Sequence, residues 1–190
     1  MTGNLQKILK SKHISVSYDN AKKVKEASAV MATNYEKEYD AIKRGASDLE
    51  SYHYSLPDGT QLFLEEERIK SVECLFNPSM VGKYDEGLKE ALTSCFSEDN
   101  NIDFMPLALE NLILSGGNTK IKGFKQRLHK EIMEIVPRKS VIRIHDRPDK
   151  EHLSWLGGSV ITSLASFNKM WITKDDYDEI GPSIVHRKCL

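Results

Sequence analysis

Residues 170–190 read MWITKDDYDEIGPSIVHRKCL, and this segment decides the fold. A last short helix is predicted to start at Thr173–Tyr177. The acidic residues at 175, 176, 178 and 179 are typical of a solvated helix face, the alternative being a loosely bound cation. Cys189 follows two basic residues whose charges favour its thiolate, so it is the cysteine with the greatest expected reactivity.

Shorter motifs precede this segment in a fixed order. They are Trp155-Leu156-Gly157-Gly158-Ser159, Leu114-Ser115-Gly116-Gly117, Phe76-Asn77-Pro78-Ser79, Leu56-Pro57-Asp58-Gly59 and Leu5-Gln6-Lys7-Ile8-Leu9. In order and spacing, these motifs and residues 170–190 resemble the carboxyl-terminal half of actin. The match runs through nearly the whole chain and is continuous in its last third.

The resemblance implies an α/β fold: a partial, actin-like second half of the ribonuclease-H-like ATPase superfamily. Residues 1–77 would form a small outer α+β subdomain similar to actin subdomain 4. Residues 78–151 would form a larger inner subdomain similar to subdomain 3, with an incomplete sheet around a βαβ core. Residues 152–190 would form a carboxyl-terminal helical tail similar to part of subdomain 1.

Composition favours a globular chain with a packed core, because 39% of its 190 residues are apolar. The formal net charge of −1 provides no global field for nucleic acid or an anionic membrane. No apolar run approaches a membrane span and no signal peptide follows Met1, so we expect a cytoplasmic, cytoskeletal protein. Three cysteines without Cys-x-x-Cys spacing indicate free thiols rather than a disulfide framework.

Local patterns predict the same class. Apolar periodicity indicates helices from Thr2 or Asn4 to about Ser11, from about Asp19 to Met31, and over residues 86–96, 123–135 and 155–167. Alternating residues around Pro57-Asp58-Gly59 predict a β-hairpin, because glycine supplies the positive φ of the turn. Short buried strands at Asn111–Leu114 and Val141–Ile144 enclose the 123–135 helix, which predicts a βαβ unit.

One glycine-rich turn, Ser115-Gly116-Gly117, follows a predicted strand, where small residues allow a ligand to approach the backbone. On residue type alone, an ordinary tight turn is favoured. The resemblance to actin implies that Gly116 and Gly117 contact a nucleotide from the cleft side, and that Lys25 and Glu26 contact its ribose and base. Without the resemblance, Lys25 and Glu26 are typical of a solvated helix face.

The chain departs from actin beside this turn. Lys120-Ile121 replaces a Met-Tyr pair that flanks adenine in actin, and Glu151 replaces a lysine near the base. In actin, the phosphate hairpins, the metal-associated acids and the water-orienting residues come from the half that precedes Met1 here, and phosphoryl transfer depends on such groups. No catalytic or metal-ligating residue is therefore predicted. We expect no cofactor for the isolated chain, and ATP or ADP only where a complete actin-like cleft forms.

The leading hypothesis is a truncated, actin-like structural or interaction protein of the cytoskeleton that is not an enzyme by itself. The alternatives are a nucleotide-binding, filament-forming actin subunit whose first half is missing, and a fragment without a stable fold. Expected partners are actin filaments and actin-binding proteins, with self-association through the unpaired sheet edge and the tail, but neither nucleic acid nor membrane. Surfaces expected to join filaments are Ile102-Asp103 and the helix at 155–167. Apolar tail residues expected to lack an intramolecular partner are Ile161, Leu164, Phe167, Met170 and Trp171.

Overall fold

The amino-terminal part of the chain is built on a helix pair that buries small and branched apolar residues. In the computed structural model, which describes residues 1–96 and 104–189, helix α1 spans Thr2–Ser11 and helix α2 spans Tyr18–Ser28. Leu5 and Leu9 of α1 pack with Ala21 and Val24 of α2. Residue type favours Thr2 or Asn4 as the cap of α1 and Asp19 as the cap of α2, but both predictions were wrong. Met1 precedes α1 without a side-chain bond, and Ser17 caps α2.

The predicted hairpin is confirmed. Strand β1, Tyr52–Ser55, pairs antiparallel with strand β2, Gln61–Leu64. Gly59 has a φ of 84°, the left-handed conformation that the turn requires. Asp58 fixes the turn by accepting a 2.9 Å hydrogen bond from the backbone N–H of Thr60. The hairpin then places Leu62 and Leu64 against the α1–α2 core.

Two helices of this region were not predicted from the sequence. Helix α3 spans Tyr35–Lys43, and helix α4 spans Glu66–Glu73. Asn34 caps α3 by accepting a hydrogen bond from the N–H of Lys37. Helix α4 packs against α1, α2 and α3, and its Val72 belongs to a second apolar cluster.

The second cluster surrounds the predicted βαβ unit, which is confirmed. Strand β3, Leu112–Ile113, pairs in parallel with strand β4, Ile144–His145, and helix α7, Phe124–Ile135, connects them. Both strands are shorter than predicted. Leu114, Phe124, Leu128 and Ile132 form the cluster with residues of α4 and of the segment after it. Helix α5 spans Leu88–Cys95 and helix α6 spans Phe104–Glu110.

A buried ion network fastens α7 to the amino-terminal part. Arg127 donates two hydrogen bonds to the carboxylate of Glu73, at 2.9 and 3.0 Å, and one of 2.6 Å to Glu131. Its guanidinium also donates to the Ala32 carbonyl and lies 4.5 Å from the ring centroid of Phe76. Burial of Glu73 raises its pKa, while the pKa of Arg127 is raised by these two carboxylates against the effect of its own burial.

The carboxyl-terminal segment is a series of short helices. Helix α8 spans Leu153–Ser163, a 3-10 turn spans Ala165–Lys169, helix α9 spans Lys174–Ile180 and helix α10 spans Val185–Lys188. The predicted helix at 155–167 is thus an α-helix only as far as Ser163. The predicted short helix at Thr173–Tyr177 is present as α9, and Thr173 caps it in a reciprocal capping box with Asp176. The predicted surface Ile102-Asp103 lies outside the described residues.

The helices of the described residues are all too short or too polar to cross a membrane.

Candidate functional site

A cleft of about 740 Å³ brings the sequence-predicted site residues together. Lys25 and Glu26 line it from α2, and Gly117 lines it from the turn after β3. Gly116 adjoins Gly117 but is not itself part of the lining. Gly117 lies more than 90 positions after Lys25 and Glu26 in the sequence, so it is the fold that brings them together. Helix α2 presents Lys25 and Glu26 to the cleft because its buried face, through Ala21 and Val24, is held against α1.

The glycine turn opens onto this cleft through backbone geometry. Gly116 has a φ of 91°, which disfavours any other residue at this position. Its N–H donates a 2.9 Å hydrogen bond to the Lys150 carbonyl, and its own carbonyl accepts one from the Thr119 hydroxyl. A Cβ at Gly117 would meet no atom within 4 Å, so the backbone there is open to a ligand.

The residues that depart from actin interact with each other at the cleft. Lys120 Nζ lies 2.5 Å from Glu151 Oε1, and this cation lowers the pKa of Glu151. The second oxygen, Oε2, has no hydrogen-bond partner among the described residues. Ile121 also lines the cleft, and it packs against the second apolar cluster. A charge pair and an aliphatic side chain therefore form this wall.

The cleft carries an excess of positive charge. Five cationic side chains line it against two carboxylates, Glu26 and Glu151; the cations are Lys22, Lys25, Arg68, Lys120 and Lys122. Arg68 is fixed by a 2.9 Å hydrogen bond to the Ser28 carbonyl, and its burial lowers its pKa. This excess of positive charge favours an anionic ligand.

Sequence reasoning missed three of these cations. Lys22 lies one helical turn before Lys25 and could have been inferred from the i, i+3 spacing. Arg68 and Lys122 had no such signal, because α4 and the segment just before α7 reach the cleft only through tertiary packing. No group of three or more His, Cys, Asp or Glu side chains within residues 1–96 and 104–189 is arranged to hold a metal ion.

A comparison with known families identifies the family of this chain. A protein-family model described as Actin matches residues 3–190. The chain therefore belongs to the actin family. The parallel β3–β4 pair, the connecting helix α7 and the small hairpin sheet fit a partial actin-like α/β fold.

Proposed function

We propose that this chain is an actin-like structural and interaction protein of the cytoplasmic cytoskeleton, and that it does not hydrolyse ATP by itself. Its partners would be actin filaments or actin-binding proteins. Self-association through the tail or the sheet edge would be a secondary activity. The observation that carries this proposal is the exposed apolar surface of residues 152–189.

That surface is large for a chain of this size. The exposed fraction is 75% for Trp155, 52% for Leu164 and 57% for Trp171, and Met170 is also exposed. Phe167 is half-buried, mainly in an edge-to-face contact with Trp171 whose ring centroids are 5.1 Å apart. Exposed apolar patches of this kind mark protein interaction sites. Four of the five tail residues named from the sequence are thus exposed, Phe167 being the exception, and a partner for this surface is the proposal.

The tail presents this surface on an internally braced segment. Lys188 Nζ donates a 2.8 Å hydrogen bond to the Trp171 carbonyl and a 2.6 Å one to Asp176 Oδ2. The hydrogen bond from Lys188 to Asp176, with those from Thr173, holds the pKa of Asp176 well below its usual range. The bracing reduces the ordering entropy that a partner must offset on binding.

The proposal of no ATP hydrolysis is supported by the chemistry of the cleft wall. Lys120 and Glu151 satisfy each other's charge, and Ile121 offers no aromatic face for a base. Catalysis of phosphoryl transfer requires a metal, a phosphate cradle and an oriented water, and none is assigned to residues of this chain. If a complete actin-like cleft forms, the residues proposed to contact ATP or ADP are Lys25, Glu26, Gly116 and Gly117.

The second candidate function is a nucleotide-binding, filament-forming actin subunit. The cationic cleft favours it, since it brings Lys25, Glu26 and Gly117 together as the resemblance to actin implied. For either function, we propose the same division of the chain into residues 1–77, 78–151 and 152–190. The first apolar cluster supports the first boundary, because it is built only from residues of the amino-terminal part, whereas the second cluster joins Met31, Val72 and Phe76 to residues beyond it.

Co-sedimentation with actin filaments tests the interaction proposal. The wild-type chain should pellet with filaments and stay in the supernatant alone, and the double variant Phe167→Ser/Trp171→Ser should lose binding at least tenfold. Phe63→Ser is the matched control, because Phe63 is 64% exposed on the hairpin, away from the tail. Equal binding of all three proteins, or none by the wild type, would contradict the proposal.

Titration with Mg-ATP distinguishes the two candidate functions. The interaction protein should show no phosphate release and no sub-millimolar binding. Tight binding that is weakened by Lys25→Ala would favour the nucleotide-binding subunit instead.

A further inference from the structure

A second cleft, of about 790 Å³, lies between α3, the segment from Phe76 to Glu90 and α7. It shares no lining residue with the first cleft. The inner wall is the buried network of Arg127, Glu73 and Glu131, and its charges are balanced once Lys89, which pairs with Glu131, is included. This wall is rigid, because Arg127 is held by two carboxylates and a backbone carbonyl at once.

The rim of this cleft is acidic. Six carboxylates and four cations line the whole cleft, and the two buried carboxylates pair with Arg127 and Lys89. The remaining carboxylates, all exposed, outnumber the remaining cations, Lys83 and Lys130, by two; they are Glu36, Asp85, Glu86 and Glu90. No ion pair between described residues involves any of these four.

Two tyrosines add an aromatic component to the rim. Tyr84 is 99% exposed, beside Asp85 and Glu86. Tyr35 lines the opposite wall from the first turn of α3. An exposed aromatic ring next to unpaired carboxylates is suited to a guanidinium or ammonium group, which gains a cation–π contact and an ion pair together.

The loop that carries Tyr84 is anchored at its base. A Cβ at Gly87 would lie 2.1 Å from the Phe76 carbonyl oxygen, so the chain packs there without room for a side chain. The N–H of Leu88 donates a 3.0 Å hydrogen bond to the Leu75 carbonyl at the same place. The acidic loop is therefore held over the cleft.

We propose that this cleft is a docking site for a basic segment of a partner protein, with an arginine or lysine side chain inserted between Tyr84 and the rim carboxylates. Charge complementarity selects this occupant, since the rim is negative while the floor is neutral. The high pKa of Tyr35, raised by burial and then by nearby Tyr39, Glu73 and Glu66, agrees with a negative potential in this region.

Fluorescence anisotropy of labelled peptides tests the proposal with the full chain. The probes are a peptide of alternating Arg and Gly and its counterpart of alternating Glu and Gly. The Arg peptide should bind, with affinity that falls as ionic strength rises, and the Glu peptide should not. Asp85→Asn/Glu86→Gln should weaken binding of the Arg peptide about tenfold, and Tyr84→Ala should weaken it about fivefold, as for central contacts of an interface.

Matched controls separate this cleft from a general response to charge. Asp178→Asn/Glu179→Gln removes the same charge from the exposed face of α9, and Tyr177→Ala removes an exposed tyrosine there. Neither should change the affinity, and circular dichroism should show each variant folded. Equal weakening by the control pair, or an unchanged affinity in the Tyr84 and Asp85/Glu86 variants, would overturn the proposal.

Discussion

Tyr35 illustrates how a single half-buried phenol couples the stability of the fold to pH. Its ring stacks on Tyr39, with centroids 5.6 Å apart, at the start of α3. Burial, followed by the nearby Tyr39, Glu73 and Glu66, raises its pKa from 10 to about 12. The neutral phenol is therefore favoured by the folded state over the unfolded one.

The sign of the resulting pH dependence follows from linkage. A group with a higher pKa in the folded state contributes stability that is present below its unfolded pKa and lost as pH rises through the folded pKa. The contribution of Tyr35 should thus decline between pH 10 and about pH 12. In urea denaturation, Tyr35→Phe should lose less unfolding free energy than the wild type over this interval. Below pH 10 the difference between the two proteins should stay constant, which serves as the control.

At the scale of elements, the start of α7 depends on a close backbone approach. Gly123 has a φ of 87°, and a Cβ there would lie 2.4 Å from the Met31 carbonyl oxygen. Met31 also joins the two parts of the chain, because its N–H donates a 2.8 Å hydrogen bond to the Lys122 carbonyl. Gly123 is thus required for two reasons: its backbone is left-handed, and a Cβ would not fit beside Met31.

Replacing Gly123 by alanine should therefore destabilise the protein more than the same change at Gly59. Gly59 has a φ of 84° but open space around its Cβ position, so Gly59→Ala bears only the cost of left-handed backbone, about 1–2 kcal/mol. Gly123→Ala adds the clash with Met31 and should lose at least about 2 kcal/mol more, typical of overpacking. Urea denaturation of both variants measures the difference, and equal losses would contradict this account.

The elements also show which parts of the fold the sequence could predict. The hairpin and the βαβ unit have local signals: a Pro-Asp-Gly turn, and apolar periodicity between two short strands. The charged run Glu-Glu-Glu-Arg-Ile-Lys leads into helix α4 and suggests a solvated segment. Glu67 is nevertheless only 1% exposed and pairs with Lys12. Glu73 is likewise buried by its distant partner Arg127. Such pairings depend on tertiary contacts and leave no local pattern.

The candidate site was likewise predictable from the sequence only in part. Lys25, Glu26 and Gly117 were inferred through the resemblance to actin, and the fold brings them to one cleft. The two departures, Lys120 and Glu151, were recognised as differences from actin, but their mutual ion pair was not. That pair changes the interpretation, because two groups that could each have contacted a ligand instead neutralise each other.

At the scale of the whole molecule, the tail is attached at its beginning and exposed beyond it. Ser115 Oγ lies 3.3 Å from Ser154 Oγ, and the Gly116 N–H donates to the Lys150 carbonyl, so residues 150–154 are fastened to the glycine turn. Farther along, Trp155, Leu164 and Trp171 are each more than half exposed. Each such side chain forgoes roughly 1.5–3 kcal/mol of burial, which is large beside the ~5–15 kcal/mol stability of a typical domain.

This imbalance leads to a prediction about local stability. In a dilute monomer, amide hydrogens of residues 155–189 should exchange much faster than those of α4 and α7, whose apolar residues lie in the core. Filament binding should then slow exchange in the tail. Because tail side chains do not contribute to the two apolar clusters described above, Phe167→Ser/Trp171→Ser should leave amide hydrogen exchange in residues 1–96 and 104–151 nearly unchanged. Strong protection of the tail in the free monomer, together with global unfolding of the double variant, would mean instead that the tail docks on its own chain and that its apolar surface is part of the core.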